Sequence, residues 1–459
     1  MADDGARGPR AVVVGAGPSG FYAAAALLDA GFAVDLLDRL PTPFGLVRAG
    51  VAPDHPRIKA VTRVYEKTAR REGLRFFGGV DVGGGAIPVD ELAARWDAVV
   101  WAVGAPVPVA LGIAGEELRG CHPAGDVVGW YNGHPDHASR AFDLEVERAV
   151  VLGNGNVALD VARMLLRDPA ELALTDMADH AVAALADARV REVVLIGRRG
   201  PFQAAFTDGE LAELGRLDGV RVAFDADGLE LDPLSAAALD AEPEGSPARR
   251  KLEALAALAG ASDAGADAAP ADRRLSFRFL RSPLELVERD GRVGAIRLAV
   301  NRLAERDGRL VAEPTGAEET LDCGLVVTAV GHRAAPLPGL PLAGGAIAND
   351  DGRVAGRARE YVVGWAKRGP SGVIGTNKGD ALETVARIVA DRDAGQLAPT
   401  SGAPDAEPWL RERAPALVAW HGWEAIDAHE RLRGERAGRP RVKLVDLSEM
   451  TTVAAACRT

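Results

Sequence analysis

Two glycine clusters set out the chemistry this chain can do. Gly15-Ala-Gly-Pro-Ser-Gly20 places Gly15, Gly17 and Gly20 in a G-x-G-x-x-G array directly after the apolar run 10–14. Gly153-Asn-Gly-Asn-Val-Ala158 supplies Gly153, Gly155 and Ala158, the G-x-G-x-x-A variant, after a second apolar run at 149–152. In such an array the first glycine permits a tight turn and the second lets backbone approach a pyrophosphate. The third small residue lets the next helix pack closely on the strand, and the helix N-terminus offers free N–H groups and partial positive charge. The two arrays lead to different strand ends. The first runs through a helix-like segment, Phe21–Asp29, and a strand, Ala33–Leu37, to Asp38, whose carboxylate can accept ribose hydroxyls. The partner strand of the second, Val190–Ile196, ends instead at Gly197-Arg198-Arg199-Gly-Pro201. Two guanidiniums where an acid would stand favour a 2′-phosphate, so this site reads as NADP rather than NAD. Downstream, Thr207-Asp-Gly-Glu210-Leu-Ala-Glu213 has capping-box spacing. Capping and ligand binding are both open for Glu210, and an exposed helix face remains open for Glu213.

Two dinucleotide sites in one chain have a redox logic. A flavin dinucleotide in the first and a nicotinamide dinucleotide in the second would exchange hydride, and the flavin would pass electrons on singly or in pairs. Cys121, Cys323 and Cys457 stand far apart. That excludes a CxxC dithiol, a four-cysteine iron–sulfur cluster within the chain and a disulfide scaffold, so the electron acceptor is external. Cys121, His122, His134 and His137 do not have a known ligand spacing, and no metal is expected.

The elements that must position these residues read as α/β. The 459 residues allow three domains at about 150 residues each, or two of about 200. Strands at 96–105 and 325–332 both end in Ala-Val-Gly, and a further helix is expected over about 380–391. The simplest architecture has two Rossmann-like dinucleotide-binding domains. The NADP-binding domain, 106–330, is inserted into an FAD-binding domain made of 1–105 and 331–459. The Ala-, Asp- and Pro-rich stretch 233–272 reads as a loosely edged surface excursion with one helical core, 250–258. The strands 275–281 and 293–300 read as antiparallel. Hydrophobic residues at 47% and charged residues at 26% match an ordinary globular chain. Acidic residues exceed basic ones by 66 to 54, for a net charge of −12, which argues against broad nucleic-acid binding. No apolar run reaches the ~18 residues of a membrane span. The start, 1–9, reads as a disordered tail without a secretory h-region, and a reducing cytoplasm fits.

Longer blocks carry a resemblance. Leu40-Pro-Thr-Pro-Phe-Gly-Leu-Val-Arg48, Gly50-Val-Ala-Pro-Asp-His-Pro56, Gly129-Trp-Tyr-Asn132 and Gly364-Trp-Ala-Lys-Arg-Gly-Pro-Ser-Gly-Val-Ile-Gly-Thr-Asn-Lys378 join the two glycine arrays and the arginine turn. Together they resemble the adrenodoxin-reductase-type ferredoxin–NADP reductases, within the glutathione-reductase-like flavoproteins, in their bacterial, mycobacterial-like form. The resemblance covers nearly the whole chain. It implies FAD at the first site, with contacts from Ser19, Asp38, Leu46, Val82, Trp365, Gly372, Val373 and Ile374. It implies NADP(H) at the second, with contacts from Asn154, Gly155, Asn156, Val157, Arg198, Arg199 and Glu210, and from Gly372 near the nicotinamide. It further implies a polar group of His55, Asp160 and Glu213 that tunes hydride transfer and electron exit. The implied activity is hydride transfer from NADPH to FAD and then single-electron transfer, reversibly, to a ferredoxin that feeds cytochrome P450s. Val109 stands where relatives place an arginine, and Ala49 where many have an aromatic residue. Arg249, Arg250, Lys251, Arg273, Arg274, Arg278 and Arg281 are the basic residues expected to offer an acidic ferredoxin a surface. Two other readings are open: the reductase subunit of a glutamate-synthase-like complex, which would call for cluster cysteines, and a nucleotide sensor that keeps FAD for structure.

Overall fold

The structure, a computed structural model, describes residues 8–85, 87–225, 228–264, 272–372, 374–397 and 406–456, without the side chains of 262–264. Most of the expected N-terminal tail, Val373 and Cys457 lie outside the described residues. The chain divides into two compact units, Met1–Val109 with Asn132–Pro135 and Gly331–Thr459, and Ala110–Tyr131 with Asp136–Val330. The sequence reading places the first cut at 105/106, four residues earlier. The two-stranded pairing of Val107 and Pro108 with Arg333 and His332 holds 106–109 in the first unit. Asn132 joins it through Lys59 and Lys443, whose ammonium groups both donate to its side-chain carbonyl at 3.3 and 3.2 Å.

The first unit is built on an eight-stranded sheet. Its parallel centre runs Glu360–Val362, Ala98–Trp101, Arg10–Val14, Ala33–Asp38 and Leu74–Gly78, with short antiparallel pieces at both edges. Val12, Val13, Val99, Val100, Leu36 and Leu37 are buried, as a parallel sheet covered on both faces requires. The helix Pro18–Asp29 starts with proline in its first turn and presents Ala23, Ala24 and Leu27 to the helix Thr376–Asp393 and the sheet. That second helix begins earlier than the expected 380, because Gly375 and the Thr376–Lys378 segment already have helical geometry. Phe21, Tyr65, Phe44 and Trp423 form an aromatic cluster with centroids 5.0 to 6.1 Å apart. Each such ring contributes about 1.5–3 kcal/mol by leaving water.

A buried ion network fixes the Leu40–Arg48 block to the C-terminal helix Trp420–Arg436. Glu430, fully buried, accepts two bonds from Arg48 at 2.5 and 2.9 Å, one from Arg441 at 2.9 Å and one from the Leu444 amide at 2.9 Å. Burial alone would raise its pKa. The charge and hydrogen bonds of Arg48, the charge of Arg441 and the Leu444 amide outweigh burial and hold the carboxyl below its ordinary value. The folded pKa being depressed, this stabilisation is present above the usual glutamate range and is lost as pH falls through the folded value. Glu430→Gln leaves Arg48 and Arg441 short of a counter-charge and should destabilise the protein by about 3 kcal/mol near neutral pH. Urea midpoints should show that deficit shrinking as pH drops below the glutamate range. A deficit that does not change with pH would exclude the ionic account.

The second unit carries a six-stranded, wholly parallel sheet, ordered Cys121–Pro123, Leu325–Thr328, Arg148–Leu152, Glu192–Ile196, Arg273–Arg278, Val220–Phe224. Arg273–Arg278 therefore corrects the expectation of an antiparallel strand. It lies parallel between its neighbours, and Leu275 and Phe277 are fully buried, as a central strand demands. The chain then turns into a three-stranded antiparallel sheet, Arg281–Arg289, Arg292–Arg306 and Arg309–Asp322. The expected surface excursion is also corrected. Residues 233–264 form two helices, Pro233–Ala241 and Pro247–Ala264. Asp232 caps the first by accepting from the Leu234 and Ser235 amides, and the Ser246 hydroxyl accepts from the Arg249 amide in the second. Leu255 and Leu258 of the second helix belong to the core.

Candidate functional site

Both glycine arrays sit where the sequence places them, between a central parallel strand and a helix. In the first unit Gly15 has φ +109°, and a Cβ there would overlap the Ala102 carbonyl. A Cβ at Gly20 would overlap the Gly15 carbonyl oxygen. Gly17 is different. It has ordinary φ, and a Cβ would come no closer than 4.0 Å to its nearest neighbour, the Gly45 Cα. The fold does not require glycine at 17, whereas a phosphate group approaching the backbone there would. The second unit repeats the pattern. Gly153, at φ +139°, faces the Ala329 carbonyl, whereas Gly155 has open space around its Cβ position. Both turns thus fit a dinucleotide pyrophosphate.

Asp38 closes the first turn. Its carboxylate accepts from the Ala16 amide at 2.8 Å and the Leu40 amide at 2.9 Å. Burial raises its pKa, and the Leu40 and Ala16 amides, the Arg39 charge and the Arg39 amide work against burial without cancelling it. A carboxylate has about four acceptor positions, so the three amides of Ala16, Arg39 and Leu40 leave about one for a sugar. Ser19 lies against Gly364, where φ is +70° and a Cβ would overlap the serine hydroxyl. The Gly364 amide donates to Asp380 at 2.5 Å, and Lys367 Nζ lies 3.2 Å from the same carboxylate. Sequence reasoning passed over Asp380. Its signal was an acid one turn inside a helix that comes after a glycine-rich loop.

The other expected residues of this unit vary in what they present. Leu46 is half exposed, and Val82 is buried in the core beside Ile87, which leaves only its backbone for a ligand. The Trp365 indole N–H is buried without a partner among the described residues. Gly372 has φ +79° and faces Thr376, and Ile374 packs against the core. Val373 lies outside the described residues. His55 stands at the N-cap of Pro56–Lys59, with Nε2 3.9 Å from Asp54. Ala49 is half-buried at the end of the short helix Leu46–Ala49, and Val109 is 38% exposed.

In the second unit the asparagines around the glycines brace the next loop. The Asn154 carbonyl accepts from the amides of Ala205 and Phe206 at 2.7 and 3.1 Å, and Asn156 Oδ1 accepts from the Thr207 amide at 3.0 Å. Asn154 Oδ1 is buried without a partner among the described residues. Val157 is half exposed at the start of the helix Asn156–Leu166. Arg198 is exposed, Arg199 half-buried, and neither guanidinium has a carboxylate partner among the described residues. Their carbonyls accept from Asn301 Nδ2 at 3.0 Å and from the Leu280 amide at 3.2 Å, so the antiparallel sheet holds the turn.

Thr207 does cap its helix, accepting from the Glu210 amide at 3.4 Å, but the Glu210 side chain turns elsewhere. Arg163, fully buried, donates to Asp160 at 2.7 Å and to Glu210 at 3.5 Å. The structure therefore groups Asp160 with Glu210. Glu213, one turn further on, pairs with Arg216 at 2.8 Å on the outer face. Arg163 escaped sequence reasoning, although its i,i+3 spacing from Asp160 on a helix was visible. The basic surface candidates do not form one free patch. Lys251 is buried, Arg249 and Arg273 donate to backbone carbonyls, Arg250 pairs with Asp208, and Arg278 and Arg281 share Glu319.

Strand, glycine turn and helix, with buried donors and acceptors left over, define a dinucleotide-binding oxidoreductase of the pyridine nucleotide-disulphide oxidoreductase type, and the model of that family matches residues 9–196. The disulphide in that name has no counterpart among the described thiols: Cys121 and Cys323 are free, each pushed up to about 12 by burial. The chain belongs to the family of NADPH-ferredoxin reductases and NADPH:adrenodoxin oxidoreductases. It is 47% identical over 456 residues to NADPH-ferredoxin reductase FprA of Mycobacterium leprae, covering 96% of this chain and 97% of that one. It is 42% identical over 455 residues to the mitochondrial NADPH:adrenodoxin oxidoreductase of Homo sapiens, covering 96% and 91%. The solved structure of Mycobacterium tuberculosis FprA in complex with NADPH matches with a TM-score of 0.91 at 47% identity, over 98% of this chain and all of that one.

The two kinds of glycine separate in a stability experiment. Gly20→Ala should lose about 1–3 kcal/mol or more through overpacking against Gly15. Gly17→Ala should stay within about 1 kcal/mol of wild type yet fail to retain a dinucleotide. Thermal midpoints of the ligand-free protein and the nucleotide content after purification check both. A stable Gly17→Ala protein that keeps its nucleotide would remove the pyrophosphate reading.

Proposed function

We propose that this chain is an FAD-dependent NADPH–ferredoxin reductase. The carrying observation is the contrast between its two glycine turns. Both leave room that only a ligand needs, one closes on a carboxylate, and the other closes on two arginines without carboxylate partners among the described residues. The first unit, centred on 1–105 and 331–459, is the FAD-binding domain. The NADP-binding domain, 106–330, is inserted within it, and each is Rossmann-like.

When bound, FAD accepts hydride from NADPH and gives electrons up one at a time, the conversion a two-electron donor and a one-electron iron–sulfur carrier require. The protein's own residues bind and orient. Gly15, Gly17, Ser19 and Gly20 with the helix start hold one pyrophosphate, and Asp38 takes the ribose. Leu46, Val82 through its backbone, Trp365 and the loop of Gly372, Val373 and Ile374 surround the flavin. Asn154, Gly155, Asn156 and Val157 hold the second pyrophosphate, Arg198 and Arg199 take the 2′-phosphate, and Glu210 stands nearby. His55 and Asp160 are the polar residues for proton and hydrogen-bond control. Glu210, which shares Arg163 with Asp160, fits that group better than Glu213 does. The partner is a ferredoxin, the compartment the cytoplasm, and the service the supply of electrons to enzymes such as cytochrome P450s. Among the described residues no helix is long and apolar enough to cross a membrane.

Anaerobic addition of NADPH to the purified protein should bleach its yellow colour, and a panel of ferredoxins should restore it. A colourless protein that flavin does not reconstitute would overturn the proposal. Arg198→Ala with Arg199→Ala should raise the KM for NADPH by ~100-fold while leaving that for NADH within about threefold, each arginine–phosphate contact being charge-assisted. Equal effects on both cofactors would remove the phosphate assignment.

A further inference from the structure

The turn that carries Arg198 and Arg199 is held from outside the nucleotide fold. Lys251, on the helix Pro247–Ala264, is 8% exposed, and its Nζ donates to the carbonyls of Phe202 and Ala204 at 2.7 and 2.6 Å. Between those carbonyls, Gln203 donates from Nε2 to the Ser235 hydroxyl at 2.7 Å. Next to Lys251, Arg250 donates to Asp208 at 2.8 Å. The segment 202–208, which also receives the braces from Asn154 and Asn156, is thus tied to both helices of 233–264.

Lys251 is a buried ammonium that rests on carbonyls alone, with no carboxylate partner among the described residues. Burial lowers its pKa, and the neighbouring Arg199 guanidinium lowers it further. Elsewhere in this unit arginines mostly meet acids: Arg148 with Glu192, Arg163 with Asp160, Arg167 with Glu171, Arg216 with Glu213. Around this one turn, three cations gather uncompensated in a chain whose net charge is −12. Such a grouping is unfavourable by itself and becomes favourable when an anion sits among the cations.

We propose that Lys251 is a positioning residue for NADP selectivity, setting the Gly200–Ala204 turn so that Arg198 and Arg199 meet the 2′-phosphate and adding its own charge to theirs. This rests on the reading of residues 197–201 as the 2′-phosphate site. The helices 233–264 are on this account part of the cofactor machinery. The test is equilibrium binding of NADP+ and of NAD+ to the flavin-loaded protein by calorimetry. Lys251→Met should weaken NADP+ by ~10-fold and NAD+ by less than about twofold, and should flatten the salt dependence of NADP+ binding. Lys251→Arg, which restores charge and donors, should recover most of the preference. If Lys251→Met does not fold, Lys251→Gln, neutral but able to bond a carbonyl, is judged by the same ratio. An unchanged NADP+/NAD+ ratio overturns the proposal. The Arg198→Ala, Arg199→Ala protein separates the two ways of failing. If it loses the preference and the Lys251 variants keep it, only the role of Lys251 falls. If it too keeps the preference, the phosphate site itself is wrong.

Discussion

The carbonyl oxygen of Gly15 occupies the space that a side chain at residue 20 would need. That contact sets how closely the helix Pro18–Asp29 lies on the strand Arg10–Val14, and with it the position of the helix N-terminus at the end of the sheet. The same constraint returns in the second unit in a milder form. Ala158, fully buried, replaces the third glycine, and Gly153 rather than residue 158 carries the close approach, to the Ala329 carbonyl. In both places a strand ending in backbone contact at its neighbour, Ala102 or Ala329, forces φ positive at the first glycine. The nucleotide sites follow from this packing, because only a turn so tight leaves amides unsatisfied at the point where phosphates arrive.

Charge then separates the two sites. The chain is acidic overall, yet its cations are not spread evenly. Asp35 is met by Arg10, Arg75 and the Trp96 indole, and Glu430 by Arg48 and Arg441, so that carboxylates buried beside the first sheet are neutralised within the protein. Asp38, at the mouth of the first turn, receives amides that work against the burial raising its pKa. At the corresponding place in the second unit, Arg198 and Arg199 are left with positive charge. A carboxylate repels a 2′-phosphate and a guanidinium pair attracts it, so this inversion of sign is the physical basis for assigning different nucleotides to two turns of nearly identical backbone.

Much of this was legible in the sequence, because glycine spacing, strand periodicity and the residue closing each second strand are local signals. What was not legible depended on tertiary context. The stretch 233–264 looks like filler by composition, yet Asp232-Pro233 and Ser246-Pro247 are helix starts, a cap and then proline, and Leu252, Leu255 and Leu258 of its second helix land on the core. Arg273–Arg278 alternates in a way that suits either strand direction, and only its burial between two parallel neighbours decides. Glu210 and Glu213 differ by one turn. No local pattern says which of them turns toward Arg163; in the structure it is Glu210 that pairs with this buried guanidinium, beside Asp160, while Glu213 pairs with Arg216. Val82, which the resemblance puts at the flavin, has its side chain in the core, so its backbone is what it offers a ligand.

Hydride transfer asks little of a protein beyond position, since the reacting atoms belong to the cofactors. The fold answers with ties between the segments that must not move. Asp380 holds the Gly364 amide, Gly364 presses on Ser19, and Ser19 belongs to the glycine turn, so the start of the Trp365–Arg368 helix and that turn form one body. Arg48 carries the Leu40–Arg48 block onto Glu430 in the same way. In the second unit Arg163 does this for Asp160 and Glu210, and the carbonyl of Asn154 for 205–206. Several buried polar atoms near these ties remain unpaired among the described residues: the indole N–H of Trp365, Nε of Arg368, Oδ1 of Asn154, Oε1 of Gln203 and Oδ1 of Asn301. A buried donor or acceptor left unmade costs about 1–3 kcal/mol, so each of these atoms would gain from a polar group that a ligand brings, and position in the fold rather than sequence decides which of them one could reach.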